Sequence, residues 1–136
     1  LVSLVDADTD AFNAIMAAWR LPTGTDEEQA AQEAAVEAAT RLAIETPLRT
    51  MEVCLESMET IAAMAEHGNP ASVSDAGVGA LCARSGVIGA ELNVRINVKD
   101  LKDESACADY LARAADIRGK AEALEAEILK VVDSKM

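Results

Sequence analysis

The sequence predicts an all-α protein, a multi-helical bundle of about five long helices. The chain is rich in alanine, with 51% hydrophobic but only 2% aromatic residues. Apolar residues recur every three or four positions along most of its length, and strand-forming residues are scarce. Because 136 residues are enough to bury one sizeable core, we expect a single domain spanning residues 1–136.

Charge and cysteine content exclude several classes of function. The formal net charge of −12 argues against nucleic acid as a partner, because phosphate binding requires a basic surface. No apolar run reaches the roughly 18 residues that a membrane span needs, so no membrane association is predicted. Cys54, Cys82 and Cys107 are widely spaced and odd in number, which favours free thiols in a reducing cytoplasm.

The first two helices are predicted from periodicity and from a cap. Residues 1–20 place Val5, Phe12 and Trp19 on one side of a helix, and Pro22 lies beyond its end. The second helix begins at the capping box that Thr25 forms with the glutamate three residues later. It is expected to run to about residue 45.

Three further helices complete the prediction. Thr46-Pro47 predicts a restart or kink, with threonine as the cap and proline at the first helical position. That third helix is expected to end at Gly68. The fourth is expected to begin near Ser72 or Ser74, and the last covers residues 104–133.

Residues 93–98, Asn-Val-Arg-Ile-Asn-Val, leave two structures open. Their strict alternation is typical of a strand, whereas a helix would place Asn93 and Asn97 on one face with Gly86 and Ala90. Because no other strand candidate is available to pair with this segment, we expect a helix.

Glycine is concentrated where helix is predicted. Five of the seven glycines lie in residues 68–100, although glycine within a helix costs roughly 1 kcal/mol relative to alanine. Such a concentration indicates that another helix or a ligand approaches the backbone closely.

Three blocks of the sequence resemble one family of folate enzymes. AFNAIMAAWRLP, GNPASVSDAGVGAL and GAELNVRINVKDL are together similar to the cyclodeaminase / methenyltetrahydrofolate cyclohydrolase family, in matching order and over the whole chain. The SDAG form with LNVxxN resembles the bacterial cyclohydrolase branch more than the formiminotransferase-linked cyclodeaminases. The family's leading helices carry a PxPGGGS block that is absent from this chain, so we expect those helices to be missing. Thr23 stands where the family often has lysine.

The resemblance implies hydrolysis of 5,10-methenyltetrahydrofolate to 10-formyltetrahydrofolate in one-carbon metabolism. It implies a tetrahydrofolate derivative as substrate with no cofactor, a cytoplasmic protein and a homodimer. Two alternatives remain open. One is a formiminotetrahydrofolate cyclodeaminase that releases ammonia, and the other is a non-catalytic helical dimerisation domain.

Two carboxylates are candidates for catalysis because the reacting carbon of such a substrate is cationic. Asp75, in the SDAG block, could pair with that cation, although Ser72-x-x-Asp75 also matches a capping box. Asp8 matches the acidic position that precedes Ala-Phe in the family, and its alternative is a solvated surface carboxylate. A positioned base that takes a proton from water typically adds 10²–10⁴-fold to a rate.

Polar and basic side chains are the candidates for substrate binding. Ser74, Asn93 and Asn97 could hydrogen-bond the pterin or the reaction adduct, and the two asparagines could equally link helices. The folate glutamate tail would need local positive charge on this acidic protein. Four basic residues could supply it, or could be solvated surface charge: Arg84, Arg95, Lys99 and Lys102. With His67 as the single histidine, neither a Ser-His-Asp triad nor a histidine metal site is predicted.

Overall fold

The computed structural model describes residues 1–136 and is all-α, as predicted. It contains four α-helices and no strand, so the segment from residue 93 is helical. None of its helices combines the length and the apolar character needed to cross a bilayer. The helices are α1 (Val2–Trp19), α2 (Asp26–His67), α3 (Val73–Asn97) and α4 (Glu104–Lys135), with short 3₁₀ turns at Pro70–Ser72 and Val98–Asp100.

The helix restart predicted at Pro47 is wrong, which accounts for four helices where about five were expected. α2 is one helix of 42 residues with Pro47 inside it. Thr46 does not act as a cap, because its hydroxyl donates to the Leu42 carbonyl at 2.9 Å. Proline normally interrupts a helix because it lacks an N–H for the carbonyl four residues earlier. Here that carbonyl, on Ala43, accepts a hydrogen bond from the Asn97 side chain instead.

The core is built around α2, which packs against all three other helices. Burial of apolar side chains between these helices supplies the main stabilisation of the fold, about 25 cal/mol per Å² of apolar surface removed from water. The largest fully buried side chains come from α2, α3 and α4: Ile44, Leu48, Met51, Met58, Val87, Val94 and Ile128.

The structure confirms two of the predicted helix ends, and one predicted cap is wrong. Thr25 and Glu28 form the predicted capping box, and α2 ends at Gly68 as expected. The capping box predicted at Ser72 is wrong. Ser72 precedes α3 without a side-chain capping bond, because the preceding 3₁₀ turn is capped instead by Asn69, whose Oδ1 accepts from the Ala71 N–H at 3.0 Å.

α1 is held against α2 through its small residues. Ala11 and Ala18 are buried, whereas Val5, Phe12 and Trp19 are more than 60% exposed. The predicted apolar side of this helix therefore faces outward in the chain.

Three glycines of α3 allow close packing of helices. An added Cβ on Gly77 would lie 3.4 Å from Val132, and one on Gly79 would lie 3.4 Å from Ile61. At Gly86 the added atom would lie 2.9 Å from Cys54 Sγ. Of the two explanations for these glycines, approach of another helix therefore holds at all three positions.

Candidate functional site

A cleft between α1, α2 and α3 contains two of the predicted site residues. We call it the Asp8 cleft, and its volume is about 480 Å³, within the range of small-molecule sites. Its polar groups lie among apolar side chains, an arrangement that suits a flat aromatic ligand with a polar edge. The lining residues are Leu1 before α1, Leu4, Val5, Asp8 and Thr9 of α1, Pro47 and Thr50 of α2, and Gly86, Ala90 and Asn93 of α3.

Asp8 and Asn93 carry the free polar groups of this cleft. The Thr9 and Thr50 hydroxyls already donate to backbone carbonyls one turn earlier, each at 3.1 Å. Asn93 Nδ2 has only a 3.5 Å contact to the Gly89 carbonyl, which is long for a hydrogen bond. A carboxylate and an amide are therefore available to a ligand.

The walls of the Asp8 cleft are fixed by packing behind them. Gly86 lies against Cys54, and burial raises the pKa of that thiol, so the sulfur is a neutral packing group. Pro47 lies in α2 at the point where Asn97 of α3 donates to the Ala43 carbonyl at 2.8 Å. This bond links α2 and α3, which line the cleft together with α1.

Asp75 lies in a different cleft, at the end of α2 and the start of α3. This Asp75 cleft has a volume of about 490 Å³. Asp75 and Asn93 are 18 residues apart in one continuous helix, which corresponds to about 27 Å. The two predicted catalytic carboxylates therefore do not share a cleft within one chain. The lining residues are Ser57, Thr60, Ile61, Met64, Asn69, Ser72, Asp75 and Ala76.

The remaining predicted binding residues lie outside both clefts, and their roles stay predictions. Ser74, Arg95 and Lys99 are exposed. Asn97 is partly buried in its bond to Ala43, the helix-linking arrangement that the sequence left open.

Two of the four predicted basic residues form ion pairs with carboxylates of the chain, and two do not. Arg84 lies 3.4 Å from Glu125, and Lys102 lies 2.9 Å from Glu33. Arg95 and Lys99 are in none of the ion pairs of the structure, so among the four these two are available to an anionic ligand. No three histidine, cysteine or acidic side chains come together as a possible metal site.

Comparison with known proteins identifies the family. Residues 1–116 match the family described as Formiminotransferase-cyclodeaminase. The chain belongs to this family.

Relatives include proteins of both named activities. The methenyltetrahydrofolate cyclohydrolase of Methylorubrum extorquens is 38% identical over all 136 residues of this chain. The chain covers 65% of that protein's length. The formimidoyltransferase-cyclodeaminase of Gallus gallus is 40% identical over 105 residues, which are 76% of this chain and 19% of that protein.

The fold is shared with a solved structure. The crystal structure of formiminotetrahydrofolate cyclodeaminase from Thermotoga maritima matches 97% of this chain with a TM-score of 0.82 at 21% identity. The chain covers 62% of that structure. The match over residues 1–116 and the 38% identity to the Methylorubrum extorquens protein confirm the family predicted from the three sequence blocks.

Proposed function

We propose that the protein hydrolyses 5,10-methenyltetrahydrofolate to 10-formyltetrahydrofolate in one-carbon metabolism. The main support is the 38% identity, along the whole chain, to a protein named methenyltetrahydrofolate cyclohydrolase. The Asp8 cleft adds a physical reason, because it combines a free carboxylate, a free amide and apolar walls in about 480 Å³.

The chemistry requires a water molecule to add to a cationic carbon held between two nitrogens. Addition forms a C–O bond and releases one proton from the water. The tetrahedral adduct then collapses with cleavage of one C–N bond, the oxygen becomes the formyl carbonyl, and the remaining hydroxyl proton passes to the departing nitrogen. Both steps gain from a group that positions the water and accepts its proton.

Asp8 and Asn93 are assigned complementary roles in these steps. The Asp8 carboxylate would pair with the substrate cation and accept the proton of the attacking water. The Asn93 amide, with both a donor and an acceptor, would hydrogen-bond the pterin edge or the oxygen of the adduct. The apolar side chains of α1, with Pro47 and Ala90, would cover the faces of the ring.

The glutamate tail of the substrate needs positive charge on a protein of net charge −12. Arg95 near the end of α3 and Lys99 in the following 3₁₀ turn are both exposed. Because neither is engaged by a carboxylate of the protein, we assign the tail to these two side chains. Both side chains are exposed, so they are free to move onto the glutamate tail when the substrate binds.

The second candidate activity is that of a cyclodeaminase. It is favoured by the relative from Gallus gallus, named formimidoyltransferase-cyclodeaminase and 40% identical to this chain over 105 residues. Attack on a cationic carbon between two nitrogens is common to both reactions, so the same Asp8 cleft would serve either. A non-catalytic helical domain is supported by the helix contacts at Gly77, Gly79 and Gly86.

Supplying each substrate separately distinguishes the three functions. We expect 5,10-methenyltetrahydrofolate to lose its methenyl absorbance when the protein is added. We expect no ammonia release when 5-formiminotetrahydrofolate is supplied instead. Ammonia release would identify a cyclodeaminase. If neither substrate is turned over, and neither folate raises the midpoint of thermal unfolding, the result favours the non-catalytic helical domain.

We further propose a cytoplasmic homodimer. The compartment is supported by three free thiols, with Cys82 exposed and Cys54 buried, since such thiols persist in reducing surroundings. The dimer is supported by the exposed apolar side chains of α3, Val78, Leu81, Leu92 and Ile96, which are 47–59% exposed.

A further inference from the structure

Contacts between α2 and α3 fix how these two helices are aligned beside the Asp8 cleft. From one contact to the next, the chain advances along α2 by as many residues as it goes back along α3. The two helices therefore run antiparallel in a single register. The contacts are spaced by whole helical turns, so they follow one face of each helix. The three pairs are Ala43 with Asn97, Cys54 with Gly86, and Ile61 with Gly79.

The same register places Thr50 of α2 opposite Ala90 of α3, and Pro47 opposite Asn93. All four residues line the Asp8 cleft. The helices are in contact on both sides of this stretch, yet Thr50 is only half-buried and Asn93 is exposed. Because the residue that faces Thr50 is an alanine, its side chain is too short to fill the space in front of the threonine. The cleft is therefore a gap between two closely packed helices, with Thr50 on one wall and Asn93 on the other.

The hydroxyl of Thr50 is held as a hydrogen-bond acceptor. Its hydrogen is used in the bond to the Thr46 carbonyl, with 3.1 Å between the two oxygens, whereas the hydroxyl oxygen keeps lone pairs for a second partner. The bond also selects one of the two rotamers that threonine adopts in a helix. Thr50 therefore offers a ligand an oxygen in a fixed position, and donating to the ligand instead would cost the bond to Thr46.

Most polar side chains of the cleft share this preference for accepting. The Thr9 hydroxyl donates to the Val5 carbonyl at 3.1 Å, and the ionised carboxylate of Asp8 can only accept. Among the lining side chains, only the Asn93 amide offers N–H donors. A ligand that binds here through its polar edge must therefore bring N–H donors of its own.

We propose that Thr50 determines the specificity of the Asp8 cleft by accepting a hydrogen bond from a ring N–H of the substrate. Asn93, on the facing helix, pairs with the neighbouring part of the same ring edge. This step rests on the proposed function, because the ring is then a reduced pterin. Such a ring carries N–H donors at its 2-amino group, at N3 and at N8. A ring of the same size without these donors leaves the Thr50 oxygen unpaired and binds less well.

Substitutions at Thr50 separate its acceptor role from its packing role. Valine keeps the shape of threonine and removes the oxygen, whereas serine keeps the hydroxyl. Thr50→Val should raise KM for 5,10-methenyltetrahydrofolate about tenfold with kcat nearly unchanged, because the lost bond is present both before and during the reaction. Thr50→Ser should keep KM close to that of the wild type. An unchanged KM in Thr50→Val, or a rise that serine does not reverse, would overturn the role of Thr50.

Thr46→Val is the matched control for damage to α2. The Thr46 hydroxyl donates to the Leu42 carbonyl at 2.9 Å, as Thr50 does to Thr46 itself one turn later. Thr46 is buried and does not line the cleft. Its substitution removes the same kind of bond from the same helix, so any loss of thermal stability should be shared while KM stays at the wild-type value. An equal rise in KM for both valine variants would show a distorted helix and contradict the proposal.

Binding of unreactive rings tests the contact without turnover. The probes are tetrahydropterin and its 2-desamino, 3-deaza and 8-deaza analogues, each lacking one N–H donor, measured by calorimetry on the wild type and on Thr50→Val. For one analogue the wild type should lose about tenfold in affinity relative to tetrahydropterin, and Thr50→Val should lose nothing further, because the donor has no partner there. Equal losses in both proteins for every analogue would overturn the contact.

These measurements separate failure of the Thr50 contact from failure of the proposed function. A wild type that shows the coupled loss with one analogue but does not hydrolyse 5,10-methenyltetrahydrofolate keeps the contact and loses the function. A wild type that hydrolyses this substrate, with Thr50→Val equally effective, keeps the function and loses the contact. Absence of tetrahydropterin binding to the wild type would also overturn the contact.

Discussion

Asn97 donates its side-chain Nδ2 to the backbone carbonyl of Ala43 at 2.8 Å. Ala43 lies four residues before Pro47, so its carbonyl has lost the N–H that a regular helix would provide. One asparagine of α3 therefore takes the place of a missing backbone donor in α2. This contact explains how α2 remains a single helix through its proline. It also fixes α2 and α3 relative to each other beside the Asp8 cleft.

The first prediction concerns this contact. Asn97→Ala should lower the free energy of unfolding by about 1–3 kcal/mol, because it leaves the Ala43 carbonyl partly buried without a donor. In a Pro47→Ala background the backbone N–H at position 47 can serve that carbonyl, and Asn97→Ala should cost less. Urea unfolding of the four proteins gives the coupling energy directly.

The matched comparison is Asn93→Ala, one turn earlier on α3. Its amide makes only the 3.5 Å contact to Gly89, so stability should change little in either background. An equal cost for Asn97→Ala with and without Pro47 would show that the asparagine acts on something other than the proline break.

The second prediction concerns Asp8. Asp8→Asn should reduce kcat/KM for the methenyl substrate at least about tenfold, since the amide can neither pair with the cation nor accept the proton of water. Asp10→Asn changes a nearby exposed carboxylate of α1 that does not line the cleft, and it should retain activity. Equal activity of the two variants would remove Asp8 from the mechanism.

The fold was predictable from the sequence where the signals were local. Thr25 and Gly68 specify the two ends of α2 through contacts within a few residues, and those predictions are confirmed. The restart at Pro47 was predicted wrongly because the compensating donor, Asn97, lies 54 residues beyond the Ala43 carbonyl that it serves. No local pattern reveals a bond of that kind.

The candidate site was predictable only in part. Asp8 and Asn93 were singled out separately, and the structure brings them to one cleft. Thr50 and Pro47 were not predicted as lining residues, because their position beside α1 depends on tertiary packing. Asp75, the other predicted catalytic carboxylate, lies in another cleft of the chain. The helical spacing of about 27 Å between Asp75 and Asn93 could have shown beforehand that one chain separates them.

The third prediction compares two glycines. Gly119→Ala should raise the free energy of unfolding by about 0.5–1 kcal/mol, because the added methyl meets nothing and the unfolded chain loses freedom. Gly86→Ala gains the same propensity but places its Cβ 2.9 Å from the buried Cys54 Sγ, and it should be destabilising. Adding Cys54→Ala should reduce that penalty. A stabilising Gly86→Ala variant would show that the two helices can separate without cost.

The fourth prediction concerns pH and the start of α4. Asp103 accepts a hydrogen bond from the Ala106 N–H at 3.0 Å and pairs with Arg41 at 2.9 Å. The Ala106 N–H, followed by Arg41, lowers the pKa of Asp103 below its usual 3.8. A carboxyl with a lowered pKa in the folded state stabilises the protein above the unfolded value and loses that contribution as the pH falls through the folded value.

Asp103→Asn isolates this charge, because asparagine is also a favourable N-cap residue. The wild type should be the more stable protein at neutral pH, and the difference should shrink as the pH falls below about 3.8. Urea unfolding between neutral and strongly acidic pH measures it. Asp109→Asn, which removes an exposed carboxylate of α4 elsewhere, controls for the change in net charge. A difference that stays constant through the acidic range would mean that the charge on Asp103 does not stabilise the folded chain.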